Sequence, residues 1–222
     1  LPYGYDASEQ ATGTRILSGV SKSTAVKSNS FIWYVVMVVG FTLPSTIMQF
    51  LPALAGSSLA VEKASFDLVG VIGSVASIGA LIGGFILGAA NDKVGGQGGG
   101  LVGGALGAVG LIILLSGGGS VAMLMGGAAL FGVFYQLNLV QMPAMVRTLY
   151  GEREYDKIFP IAAAFAPWVG AVSYSLWGFL HDASGSYAPM LIIGAALAVL
   201  TAVSAILAVA SSKKLPRETK EI

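Results

Sequence analysis

The sequence predicts an all-α membrane protein with six transmembrane helices, and three observations predict it. Hydrophobic residues make up 55% of the 222-residue chain and charged residues 10%, where an ordinary soluble domain carries about 25% charge; the mean hydropathy is +0.79. The apolar residues are gathered into blocks of roughly 20, the length that crosses a hydrocarbon core at about 1.5 Å per helical residue. Within those blocks tyrosine is the one ionisable side chain, since Asp, Glu, Lys, Arg and His fall in the connections or at block ends. The alternation that barrel strands require is missing, so helices are the way to pair every backbone group inside lipid.

Taken in order, residues 1 to 30 are rich in Ser, Thr, Gly and Ala with scattered charges. Such a stretch buries too little apolar area to fold alone and is expected to be a linker. The six apolar blocks follow at 31 to 55, 68 to 90, 99 to 116, 121 to 146, 158 to 180 and 188 to 210, together a bundle over 31 to 210. Residues 211 to 222 form a polar tail. The opening has neither an initiator Met nor a signal-peptide apolar region, so a cut or fragment is expected there.

The connections orient the chain. Arg15, Lys22 and Lys27 precede the first block, Lys93 follows the second, Arg147, Arg153 and Lys157 flank the fourth-to-fifth link, and Lys213, Lys214, Arg217 and Lys220 lie in the tail. Eleven of the twelve basic residues thus share one side, and Lys63 alone takes the other. By the positive-inside rule both termini are expected in the cytoplasm of a multi-pass cell-membrane protein, with Lys63, the turn at Gly117 to Gly119 and the His181–Asp182 loop outside.

The 31 glycines are about twice the usual share. Gly79/Gly83, Gly84/Gly88, Gly100/Gly104 and Gly103/Gly107 are spaced by four within the blocks. That spacing clears one helical stripe so that backbones approach closely. Cysteine is absent, which removes disulfides and thiolate metal sites. A net charge of +1 gives no electrostatic footprint for nucleic acid.

After the second block the sequence reads Gly88-Ala-Ala-Asn-Asp92-Lys93-Val-Gly95-Gly96-Gln97. This resembles the major facilitator signature of the cytoplasmic loop between the second and third helices of each half: Gly88, Asp92, Lys93 and Gly95 match, and Gly96 and Gln97 replace its last two basic residues. A carboxylate there can meet a neighbouring helix N-terminus or an arginine, a contact that forms and breaks as halves rock. Residues alone also admit an ordinary Asp-Lys pair at a membrane surface. Pro143-x-x-x-Arg147-x-x-x-Gly151-Glu-Arg153-Glu-Tyr155, Phe179-x-x-Asp182-x-x-Gly185-x-Tyr187 and the lead-in Lys27-Ser-Asn-Ser-Phe31-Ile-Trp33 resemble the oxalate/formate antiporter and monocarboxylate porter branches. The resemblance implies that the six blocks are helices seven to twelve, half of a twelve-helix fold, with residues 1 to 30 in the loop joining the halves. It further implies an N-terminal six-helix half as partner, a small organic solute as cargo, no cofactor, and alternating access to a cavity between halves.

Polar side chains inside spans face a bundle interior or a water-filled cavity. The cavity candidates are Gln49 beside Pro44, then Tyr135, Gln136, Asn138 and Gln141 ahead of Pro143, then Trp168 and Tyr174. Each has two readings, cavity contact or hydrogen bonding to a neighbouring helix. Tyr135 with Gln136, and Asn138 with Gln141, read as two pairs on different faces, one lining a cavity and one bonding a neighbour. Trp177 reads as cavity wall or interfacial anchor. Oxalate-type members carry a basic residue in the middle of the eleventh helix, whereas the fifth block here holds no Lys or Arg after Lys157. Any substrate charge is therefore expected to be met by the other half, by dipoles or by Arg147 at the mouth. An intramembrane enzyme would need a buried nucleophile with its base, or a metal cluster; one peripheral His and no buried carboxylate supply neither. A non-transporting sensor or scaffold that reuses the fold is the alternative, and it would bury the polar candidates in helix contacts.

Overall fold

The computed structural model describes residues 16–58, 66–116 and 120–221. Among them six helical spans are long and apolar enough to cross a membrane: Asn29–Ser57, Val69–Val94, Gln97–Ser116, Val121–Tyr150, Tyr155–Ser184 and Ala188–Ser212. Arg15, Lys63 and the turn at Gly117 to Gly119 lie outside the described residues.

Strand β1 (Ile16–Gly19) and a short helix α1 (Lys22–Val26) precede the first span. That span is α2 (Asn29–Ser45), a 3-10 stretch (Thr46–Phe50) and α3 (Leu51–Ser58). Ser28 starts α2 as its N-cap, its hydroxyl accepting from the Phe31 N–H. The second and third spans are α4 (Phe66–Val94) and α5 (Gln97–Ser116). The fourth is α6 (Val121–Tyr135) followed by α7 (Leu137–Tyr150), and the fifth is α8 (Tyr155–Ala163) followed by α9 (Phe165–Ser184). Helix α10 (Ala188–Ser212) is the sixth, and strand β2 (Glu218–Glu221) closes the chain.

Three spans are interrupted, each by identifiable chemistry or geometry. Pro44 lacks the N–H that would continue the ladder, and the first span tightens into its 3-10 stretch two residues later. The fourth is interrupted at Gln136, the turn residue between α6 and α7. The fifth is interrupted at Ala164, four residues after Pro160, whose carbonyl accepts the Ala164 N–H at 3.1 Å. Gly95, Gly151 and Gly185 stand at φ of 85°, 74° and 65°, a backbone region open to glycine, and turn the chain at the ends of α4, α7 and α9.

Glycine sets which helices touch. A Cβ on Gly79 would stand 2.1 Å from the Ala129 carbonyl oxygen, and one on Gly132 would stand 2.0 Å from that of Ala76, so α4 and α6 meet backbone to backbone. Gly103 and Gly107 admit Leu137 and Phe134, while Gly100 and Gly104 admit Ala205 and the Ala198 backbone of α10. Of the four expected pairs Gly84/Gly88 differs: Gly84 meets the Gln136 side chain and nothing lies within 4 Å of a Cβ on Gly88. The buried core holds Trp177, Tyr34, Tyr150, Phe41, Phe131 and Phe134.

Strands β1 and β2 gather at one end of the bundle, with the α4–α5 turn and the link from Tyr150 to Tyr155. β1 pairs antiparallel with β2, Gly19 opposite Glu218, and Gly19 also bridges to Gly151. The Val20 N–H donates to the Tyr150 carbonyl at 2.8 Å, and Arg153 forms an ion pair with Glu218. The linker expected over residues 1 to 30 therefore carries structure from Ile16 onward. It does so by pairing with the tail and the fourth-to-fifth link, since neither strand has an apolar face of its own.

Candidate functional site

The three interrupted spans enclose a recess of about 150 Å³ near the middle of their length. Thr42, Ser45, Thr46 and Gln49 from the first span face Tyr135 and Asn138 from the fourth and Tyr174 from the fifth. Positions 42, 45, 46 and 49 follow the i, i+3, i+4, i+7 spacing of one helical face, held through the change from α-helix to 3-10 turn. No charged side chain lines the recess.

One wall is closed by hydrogen bonds. The Asn138 amide donates to the Ser45 hydroxyl at 2.7 Å and to the Tyr135 carbonyl at 3.0 Å, and its oxygen accepts from Thr42 at 3.2 Å. Ser45 in turn donates to the Phe41 carbonyl, and Thr46 to the Leu43 carbonyl. The Trp177 indole N–H reaches the Thr46 hydroxyl at 2.8 Å, which seats the fifth span against the first. Trp177 is fully buried, so the interfacial-anchor reading does not hold for it.

The opposite side of the recess is open-handed. Gln49 and Tyr174 are exposed and Tyr135 half-buried, and among the described residues neither the Gln49 amide nor the two phenol hydroxyls have a hydrogen-bond partner. A neutral amide and two hydroxyls supply donors and acceptors, and the rings supply flat apolar surface. This set can orient a small polar solute.

The structure brings four of the seven cavity candidates together: Gln49, Tyr135, Asn138 and Tyr174. It places the other three elsewhere. Gln136 packs beside Gly84 of α4. Gln141 is fully buried, accepting from the Asn91 side chain at 3.2 Å and donating to the Gly96 carbonyl. Trp168 is 77% exposed on the surface of α9. The pairing of Tyr135 with Gln136 and of Asn138 with Gln141 is corrected accordingly. At about 100° per residue, each step of three turns the helix by about 60°. Tyr135 and Asn138 therefore share the recess, Gln141 has rotated on to the neighbouring helices, and Gln136 sits on the opposite flank.

The signature residues are placed as follows. Gly95 makes the left-handed turn into α5, and Gly88 lies on an open helix face. Asp92 and Lys93 are exposed and make no ion pair among the described residues. The Arg147 guanidinium lies over the Tyr155 ring, 5.1 Å from its centroid, a cation–π contact across the fourth-to-fifth link. The hydroxyls of Thr42, Ser45 and Thr46 and the amide of Asn91 were not among the sequence candidates. The helical spacing of the three hydroxyls with Gln49 around Pro44 was the available signal for the first group.

Compared with known proteins, the chain finds no match among curated ones. The family model described as Major Facilitator Superfamily matches residues 28–222, which takes in all six spans and the tail strand. With six apolar helices, three of them interrupted around a polar recess, and a match over most of its length, the chain belongs to the Major Facilitator Superfamily, whose members are membrane transporters.

Proposed function

We propose that this chain is the C-terminal six-helix half of a secondary transporter, helices seven to twelve, and that the recess is its share of a central solute cavity. The observation that carries this reading is the placement of the recess among the three interrupted spans, with the Gln49, Tyr135 and Tyr174 heads left without hydrogen-bond partners among the described residues. Interrupted helices at mid-span are where transporters of this construction bind cargo. An N-terminal half faces the recess and supplies the rest of the cavity, and alternating access follows from rocking of the two halves. Both termini lie in the cytoplasm at the cell membrane, because the basic residues gather at their end of the bundle.

The cargo is a small organic solute. The branch resemblance favours a carboxylate, and the neutral lining assigns recognition of its charge to groups outside this recess, with hydroxyl and amide contacts to the remainder. The test is thermal stabilisation of the membrane-embedded protein across a panel of organic anions, sugars and amino acids. A cargo at 100 times its Kd stabilises by about 2.7 kcal/mol. The reading expects one chemical class to raise Tm and Tyr174→Phe to weaken that response. No response from any class, or an undiminished one in the variant, overturns the recess as the site; stabilisation by neutral solutes alone overturns the carboxylate.

A further inference from the structure

Helix α7 carries Asn138 of the recess wall at one end and meets the α4–α5 turn along its length. Gln141 and Thr148 are seven residues apart, two turns on one face. Both are directed at Gly96: Gln141 donates to its carbonyl, and Thr148 fills the space a Gly96 side chain would need. Asn91, at the end of α4, completes the cluster. Its amide donates to Gln141 at 3.2 Å and its oxygen accepts the Gly99 N–H at 2.7 Å, capping a free donor in the first turn of α5. Gly98 and Gly99 have no room for a Cβ, which is what seats α5 against Ala90 and Asn91.

Asn91 and Gln141 are both buried. A buried amide that loses its partner bears the cost of an unsatisfied polar group. Helix α7 is set off from α6 by the interruption at Gln136, and Pro143 within it donates no ladder bond. Asn138 ties one end of α7 to the first span, and the Gln141 amide, bonded to Asn91 and to the Gly96 carbonyl, ties its middle to the α4–α5 turn.

We propose that the Asn91–Gln141 pair is a conformational pin that fixes α7, and with it the Asn138 wall, to the turn between the second and third spans. Asn91 and Gln141 are positioning residues: neither lines the recess, and both set where α7 stands. What the pin serves rests on the recess being the solute site; whether it exists does not.

The test needs no solute. The chain has no cysteine, so Asp92→Cys with Arg147→Cys places two spin labels at exposed positions on α4 and α7, in the membrane-embedded protein. The pin predicts one narrow distance in that background. Gln141→Leu and Asn91→Leu each shift or broaden it by about 2 Å or more, the scale of a helix displacement. The double variant moves it no further than either single change, because both break one unit. Thr201→Val, a buried change on α10 away from the turn, leaves it unchanged. Unaltered distances in the two leucine variants, effects that add, or an equal change in Thr201→Val overturn the pin. If Gln141→Leu does not fold, Asn91→Leu against Thr201→Val decides the same question. An intact pin in a protein that answers to no solute overturns the recess reading alone.

Discussion

Asn138 uses both amide hydrogens and its oxygen within the protein, tying the fourth span to the first, while Tyr174 offers its hydroxyl to open space in the same recess. The two residues therefore answer differently to substitution. Asn138→Ala leaves Thr42 and the Tyr135 carbonyl short of partners where water is scarce, so solute-free stability falls by about 1–3 kcal/mol. Tyr174→Phe removes a group without a protein partner and stays within about 0.5 kcal/mol of the parent. Thermal unfolding without solute, repeated with whichever solute class stabilises the parent, separates the two: Asn138→Ala lowers the baseline, and Tyr174→Phe lowers only the response. Equal baseline losses would mean that the phenol is structural.

At the scale of elements, backbone contact between helices depends on the missing side chains. Gly132→Ala drives a methyl to 2.0 Å from the Ala76 oxygen, and neither rigid helix can yield locally. The expected loss is about 1–3 kcal/mol from overpacking. Gly88→Ala meets nothing within 4 Å in this chain, so it is neutral or gains up to about 1 kcal/mol of helix propensity. Measured Tm values for the pair, in the same detergent, check the contrast. The terminal ribbon gives a pH-dependent prediction. Glu154 accepts from the Lys22 N–H at 2.6 Å and from the Lys157 ammonium at 3.0 Å, and these bonds hold its carboxyl below the ordinary carboxylate value. A depressed pKa gives stability that is present above the ordinary value and lost as pH falls through the lowered one. Protection of the Lys22 amide against hydrogen exchange should weaken on acidification in the parent. In Glu154→Gln it should already be weak near neutral pH and change little.

For the whole molecule, the six spans were legible because lipid leaves no alternative for a 20-residue apolar block. The recess was half legible. Gln49, Tyr135, Asn138 and Tyr174 are costly polar groups in apolar runs, but Gln141 is equally costly and is satisfied by Asn91 and Gly96 instead. A single helix cannot show which neighbour its 60° steps will meet. The β1–β2 ribbon was not legible at all: ILSG and ETKE have no alternating pattern, and about two hundred residues separate them. Pairing at that distance is a property of the assembled bundle, which brings the two strands to one face.

That shared face leads to the last prediction. Among the described residues Lys22, Lys27, Lys93, Arg147, Arg153, Lys157, Lys213, Lys214 and Arg217 all lie on segments at the end of the bundle that holds the β1–β2 ribbon. A positive surface of this kind is retained on the cytoplasmic side during insertion, because moving it across the membrane opposes the potential and leaves the anionic leaflet. With no native cysteine in the chain, single changes Lys93→Cys and Lys213→Cys should resist a membrane-impermeant maleimide in sealed cells and react after permeabilisation. Lys63→Cys, in the connection between the first and second spans, should react from outside in sealed cells. The two sets must be opposite: labelling of residue 93 or 213 from outside would invert the topology, placing the α4–α5 turn and the ribbon on the external face.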